Sequence, residues 1–133
     1  MSDWTEEEYS KLSGIKDLPV FEATTSNLNL INDVAESINW VTSGKVTEIK
    51  NQGSCGSDYA FAATSTVESA YAIKNNREPL TLSAQQIIDC SSNSIYGNKG
   101  CEGGQFFYGW RYFLDYFSAQ DSNYSYKGTV GVC

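Results

Sequence analysis

Asn51-Gln52-Gly53-Ser54-Cys55-Gly56-Ser57-Asp58-Tyr59-Ala60-Phe61 is the stretch whose reading decides the fold. Asn51-Gln52-Gly53 reads as a turn, since asparagine and glycine tolerate the backbone angles that reverse a chain. From Ser57 or Asp58 to about Lys74 the apolar spacing predicts the strongest helix of the chain. Its expected buried stripe is Ala60, Ala63, Val67, Ala70 or Tyr71, and Ile73 or Lys74. So much alanine on one face permits close approach by a neighbour, which predicts a central helix. Asp58 at the start of that helix suits the unpaired amides and the dipole, a capping role that needs no chemistry. A cysteine there would instead have its thiolate stabilised and become a poised nucleophile.

Working outward, Thr5 and Glu8 form a capping box for a first helix, with Glu6 and Glu7 in its first turn and Gly14 as its stop. Residues 15–36, rich in Asn, Thr and Ser, read as an extended connector. Ser37–Lys50 carries a short strand-like element with Val46 and Ile49 directed inward. Leu82–Asp89 predicts a short helix, with Ser83 as N-cap, Gln86 closing a capping box, and Leu82, Ile87 and Ile88 as its apolar contacts. Ser91–Gly100 reads as a polar surface loop. A third major helix is expected over Gly104–Ser118, with Phe106, Trp110, Phe113 and Phe117 on one stripe and Phe107 and Leu114 beside it. That is more aromatic surface than a narrow face can bury, so part of this helix is expected to meet another chain. Asn123-Tyr124-Ser125 matches the acceptor pattern for N-glycosylation, a triplet that also arises easily by chance.

The 133 residues suffice for one domain with a core. A formal charge of −7, with the basic residues scattered singly, argues against nucleic-acid partners and anionic membrane surfaces. No apolar run is long enough for membrane insertion, and the acidic N-terminus does not resemble a signal peptide. Cys55, Cys90, Cys101 and Cys133 form no close pair, and the chain has no histidine. That combination argues against a metal site, and no cofactor is implied; two disulfides fit better, with three pairings open. Bridged cysteines belong to an oxidising compartment, in tension with the absent signal peptide, so the localisation stays open. Glu68 and Asp89 read as helix-surface groups, and nothing in its spacing sets Glu102 against Asp58 as a second catalytic acid.

The run Gly44–Phe61 resembles the active-site segment of papain-like, or cathepsin L-like, cysteine peptidases, with aspartate where the attacking cysteine should stand. Leu82–Cys90, Gly100-Cys101-Glu102-Gly103-Gly104, and Tyr124–Gly128 before Cys133 are similar to further segments of that family. The resemblance implies a mainly α fold, the helical left domain with its long central helix. It implies the pairing Cys55–Cys101 and Cys90–Cys133. Gln52 would help form the oxyanion hole, Asp58 would occupy the nucleophile position, and Gly103 and Gly104 would form the strip that pairs with extended substrate. Tyr59 replaces the usual tryptophan. Residues 1–14 resemble the end of an inhibitory prosegment, residues 15–36 its linker, and residues 37–133 the helical domain. The family's histidine and asparagine stand roughly 130 to 150 residues beyond the cysteine, farther than the chain runs past Asp58, so the barrel-like second domain is expected to be missing.

These features imply an inactive homologue acting as a structural or protein-binding subunit of a larger assembly. The partner would cover the face left by the second domain, through Phe106, Phe107, Trp110, Phe113 and Phe117. The alternatives are half of a cysteine endopeptidase completed by another chain, and a decoy or inhibitor that binds proteases through its prosegment-like helix.

Overall fold

The computed structural model describes residues 5–10, 35–93 and 95–133, and is helical in character. Helix α1, Glu6–Ser10, begins with the expected capping box. Thr5 N donates to Glu8 Oε2 at 2.8 Å, and Glu8 N donates to Thr5 Oγ1 at 3.2 Å. The hydrogen bond from the Thr5 backbone holds the Glu8 carboxyl below its ordinary pKa. Gly14 and nearly all of the 15–36 connector lie outside the described residues.

The strand-like element does not form, and Ser37–Lys50 runs as turns and irregular chain. Val46 is 39% exposed and Ile49 fully exposed, so neither points inward as its apolar character suggested. Polar groups anchor the segment instead. Thr47 Oγ1 donates to Glu68 Oε2 at 2.7 Å, and Lys50 Nζ reaches both Glu68 oxygens at 2.5 and 2.6 Å.

Helix α2 spans Asp58–Lys74, the range its periodicity predicts. Its buried face is rotated from the expected stripe. Ala60 and Ala63 are buried, but Thr64, Glu68 and Ala72 continue the face, whereas Tyr71 and Ile73 are more than a third exposed and Ala70 lies on the surface. The cause is Glu68, read from sequence as a surface group. Its carboxylate is buried because Thr47, Lys50 and Leu82 N, at 2.7 Å, all donate to it.

Helix α3, Ala84–Cys90, starts at Ser83, whose Oγ accepts from Gln86 N at 3.0 Å. The return half of that capping box is absent. Gln86 turns outward, accepting from Ala119 N at 2.7 Å and donating to Phe117 O and Tyr112 Oη, while Ser83 N donates to Ala119 O. This pairing, with the isolated Leu82–Gln120 bridge, ties the chain after the last helix to the start of α3. Asp89 is likewise no simple surface group, since Gln85 Nε2, Tyr124 Oη and Gly131 N all donate to it.

The 91–100 segment is less exposed than a surface loop. Ser91, Tyr96 and Asn98 are buried. Asn98 explains it, donating to Ser91 Oγ at 2.8 Å and accepting from Gln105 N at 2.7 Å. A 3-10 turn at Gly100–Glu102 leads to α4, Phe106–Asp115, shorter at both ends than expected because Gln105 and Tyr116 are extended. The buried side of α4 is Gly109 and Tyr112, off both predicted aromatic rows. Gly109 lets α4 approach α2. A Cβ there would lie 2.8 Å from Ala63 Cβ and 3.4 Å from Ile87 Cγ2. Gly109→Val is therefore expected to destabilise the domain by at least ~1–3 kcal/mol, read as a lowered urea midpoint with an unchanged slope.

Candidate functional site

The N-terminal end of α2 gathers the motif residues around one turn. Gln52 Nε2 donates to Cys55 O at 3.0 Å, and Ser57 N donates to the same carbonyl at 2.8 Å. Cys55 is bonded to Cys101, and Gly56 N donates to Cys101 O at 3.0 Å, fastening the turn to the 3-10 segment. A tyrosine from the C-terminal stretch closes the arrangement. Tyr126 Oη donates to Gln52 O at 2.6 Å and lies 2.8 Å from Ser57 Oγ, while its ring packs edge-on to Phe61. Asp58 follows as the first residue of α2, half-buried, where the dipole favours a carboxylate.

Tyr59 is 1% exposed, and its hydroxyl donates to Gly100 O at 2.9 Å. Burial pushes that hydroxyl far above its ordinary pKa, so it stays a neutral donor. Beside it, Gly103 adopts φ 111°, a region that favours glycine, and its carbonyl accepts from Lys99 N at 2.9 Å. A Cβ on Gly104 would collide with Asn98 Oδ1 and stand 3.0 Å from Tyr59 Cε2. Gly104 thus passes against Tyr59 because it has no side chain, while Gly103 supplies the positive φ just before it.

All four cysteines are bonded, Cys55 to Cys101 and Cys90 to Cys133, so the chain holds no thiol. Among the described residues no cluster of three metal-ligating side chains occurs, and no helix is long and apolar enough to cross a membrane. Glu102 is exposed on the 3-10 turn.

The aromatic residues of α4 separate into two groups. Phe113 packs against the core, and Phe106, Phe107 and Tyr108 are half-buried. Trp110 lies edge-on to Phe106 at 4.9 Å and donates Nε1–H to Ala63 O, with 37% of its surface exposed. Leu114, and Phe117 past the end of α4 rather than on the helix as its spacing predicts, are open to solvent, at 88% and 98%. Sequence reasoning missed Lys50 and Glu68 as a pair, which anchors the approach to the Gln52 turn. Nothing in their eighteen-residue separation marks them as neighbours.

A helical domain held by two disulfides, with a Gln-turn-helix segment at the head of its central helix, defines the papain-like class. The chain belongs to the papain family of cysteine proteases: residues 34–133 match the family described as papain family cysteine protease. It is 41% identical over 100 residues to a cathepsin L-like proteinase of Fasciola hepatica, covering 75% of this chain and 30% of that protein. To cathepsin S of Mus musculus it is 35% identical over 136 residues, covering 100% of this chain and 40% of the relative. The chain therefore spans about a third of the length of such relatives. Among solved structures, one from work on antibody cross reactivity between the mite allergens Blo t 1 and Der p 1 aligns with TM-score 0.80 and 30% identity. It covers 99% of this chain and 45% of that one. Digestive procathepsin L 3 of Tenebrio molitor aligns with TM-score 0.75 and 34% identity, over 94% of this chain and 38% of that one.

Proposed function

We propose that this papain-family domain is non-catalytic and serves as a structural or protein-binding subunit of a larger assembly. The observation that carries this reading is the aspartate at the head of α2, in a chain whose every cysteine is bonded. The helix that would hold a thiolate ready for attack holds a carboxylate instead, weakly nucleophilic toward an amide. Hydrolysis by carboxylates uses two acids sharing a proton, and Glu102 sits exposed on a separate turn. Gln52 retains the oxyanion-hole position and Gly103-Gly104 the substrate-strip position, so the inherited scaffold persists without the group that made it an enzyme. The surface offered to a partner includes Trp110, Leu114 and Phe117, with Phe106 supporting Trp110 from below.

The test is turnover of unblocked and fluorogenic peptide substrates by the protein in its native complex. Hydrolysis no faster than buffer is expected, and Asp58→Ala is expected to leave that baseline unchanged. Turnover that disappears in Asp58→Ala would sink the proposal and favour an endopeptidase completed by another chain.

A further inference from the structure

We propose that Asn123 is an N-glycosylation acceptor, taking an oligosaccharide from a lipid-diphosphate donor in an oxidising secretory compartment. Asn123-Tyr124-Ser125 is the one Asn-X-Ser/Thr triplet in the sequence, and its middle residue is not proline. The structure adds two independent observations. Asn123 is exposed in the turn that follows Gln120, its backbone N–H donating to Gln120 O at 3.0 Å, while its side-chain amide makes no hydrogen bond among the described residues. A glycan there displaces no packing and orphans no polar group. Secondly, the two disulfides fit the oxidising route in which such transfer takes place.

The neighbouring residues hold the triplet on the surface. Tyr124 is the anchored member, its hydroxyl donating to Asp89 Oδ2 at 2.8 Å and its carbonyl accepting from Ser83 Oγ at 2.6 Å. Burial and the Asp89 contact push that hydroxyl up to about 12, so it remains a donor at any physiological pH. Ser125 is exposed beside Asn123, with its Oγ donating to Asp121 O at 2.9 Å. The chemistry is a simple displacement. The Asn123 amide nitrogen forms a bond to the anomeric carbon of the donor sugar as the carbon–oxygen bond to diphosphate breaks. The lipid diphosphate leaves with the electron pair, one amide proton passes to a base, and nothing is oxidised or reduced.

The full chain, isolated from its own source, reports on this directly. Trypsin releases Tyr112–Lys127, a peptide in which Asn123 is the only asparagine. Treatment with a glycan-removing amidase in heavy-oxygen water is expected to convert Asn123 to labelled aspartate in most copies of that peptide, and untreated peptide is expected to carry the glycan mass. In secretory expression of the same chain, read on luminal and secreted pools together, Asn123→Gln and Ser125→Ala are expected to abolish the modification, whereas Ser125→Thr retains it. A disulfide-bonded native chain with Asn123 unmodified overturns the proposal, as does modification that survives Asn123→Gln.

Discussion

Reducing both disulfides is expected to remove about 4 kcal/mol of stability for each bridge and to leave the chain without cooperative tertiary structure. The bonds close loops with sequence separations of 46 and 43 residues, and loops of that length lose roughly 4 kcal/mol of denatured-state restraint when opened. Together that is comparable with the whole stability of an ordinary domain, about 5–15 kcal/mol. This core has little with which to offset it. Among the described residues the fully buried large apolar side chains are just Tyr59, Ile87 and Ile88, and the helix contacts rest on Ala60, Ala63, Ala72 and Ala84. The two bridges also do separate jobs. Cys55–Cys101 fastens the turn before α2, and Cys90–Cys133 ties the C-terminal stretch to the end of α3. Reduced and alkylated protein should therefore show rapid proteolysis and no urea transition. Retention of the oxidised protein's midpoint after complete alkylation would refute this account.

How far the fold was legible depended on whether a residue's position followed from its neighbours in sequence. The extent of α2 was readable from the turn at Gly53 and the long run without glycine or proline, and Ser83 and Thr5 marked helix starts by chemistry confined to three residues. Val46 and Ile49 misled, because an apolar residue in an extended segment points inward only if another surface is there to receive it. The face of α2 could not be read either. A carboxylate at position 68 belongs outside by its chemistry, and only a lysine from eighteen residues earlier and an amide from fourteen residues later make its burial tolerable. The same limit applies to the site. Gln52, Asp58 and the glycine pair are legible through their motif, whereas Tyr126 reaches Gln52 across 74 residues and nothing local announces it. On α4, a glycine between aromatic residues outweighed the rings in choosing the buried side, because close approach of two helices is worth more than covering one wide face.

Glu68→Ala is expected to cost about 3–5 kcal/mol, more than any surface substitution, because it strands a buried cation. The Glu68 side chain is wholly buried, and that of Lys50 only 19% exposed. Removing the carboxylate leaves the Lys50 ammonium in a poorly solvated place and deprives Thr47 Oγ1 and Leu82 N of their acceptor. The loss is thus a desolvation penalty, which distinguishes it from the modest worth of an exposed ion pair. Two further variants separate these causes. Lys50→Met alone leaves a buried anion with two remaining donors, and should cost less than Glu68→Ala. Lys50→Met with Glu68→Leu removes both charges while keeping volume, and should recover much of the loss. The pair also secures residues 47–50, the approach to the Gln52 turn, so Glu68→Ala should increase amide exchange there and through Gly53 ahead of global unfolding. Equal midpoints for the wild type and Glu68→Ala would mean that water reaches the pair freely, and that another contact rotates the buried face of α2.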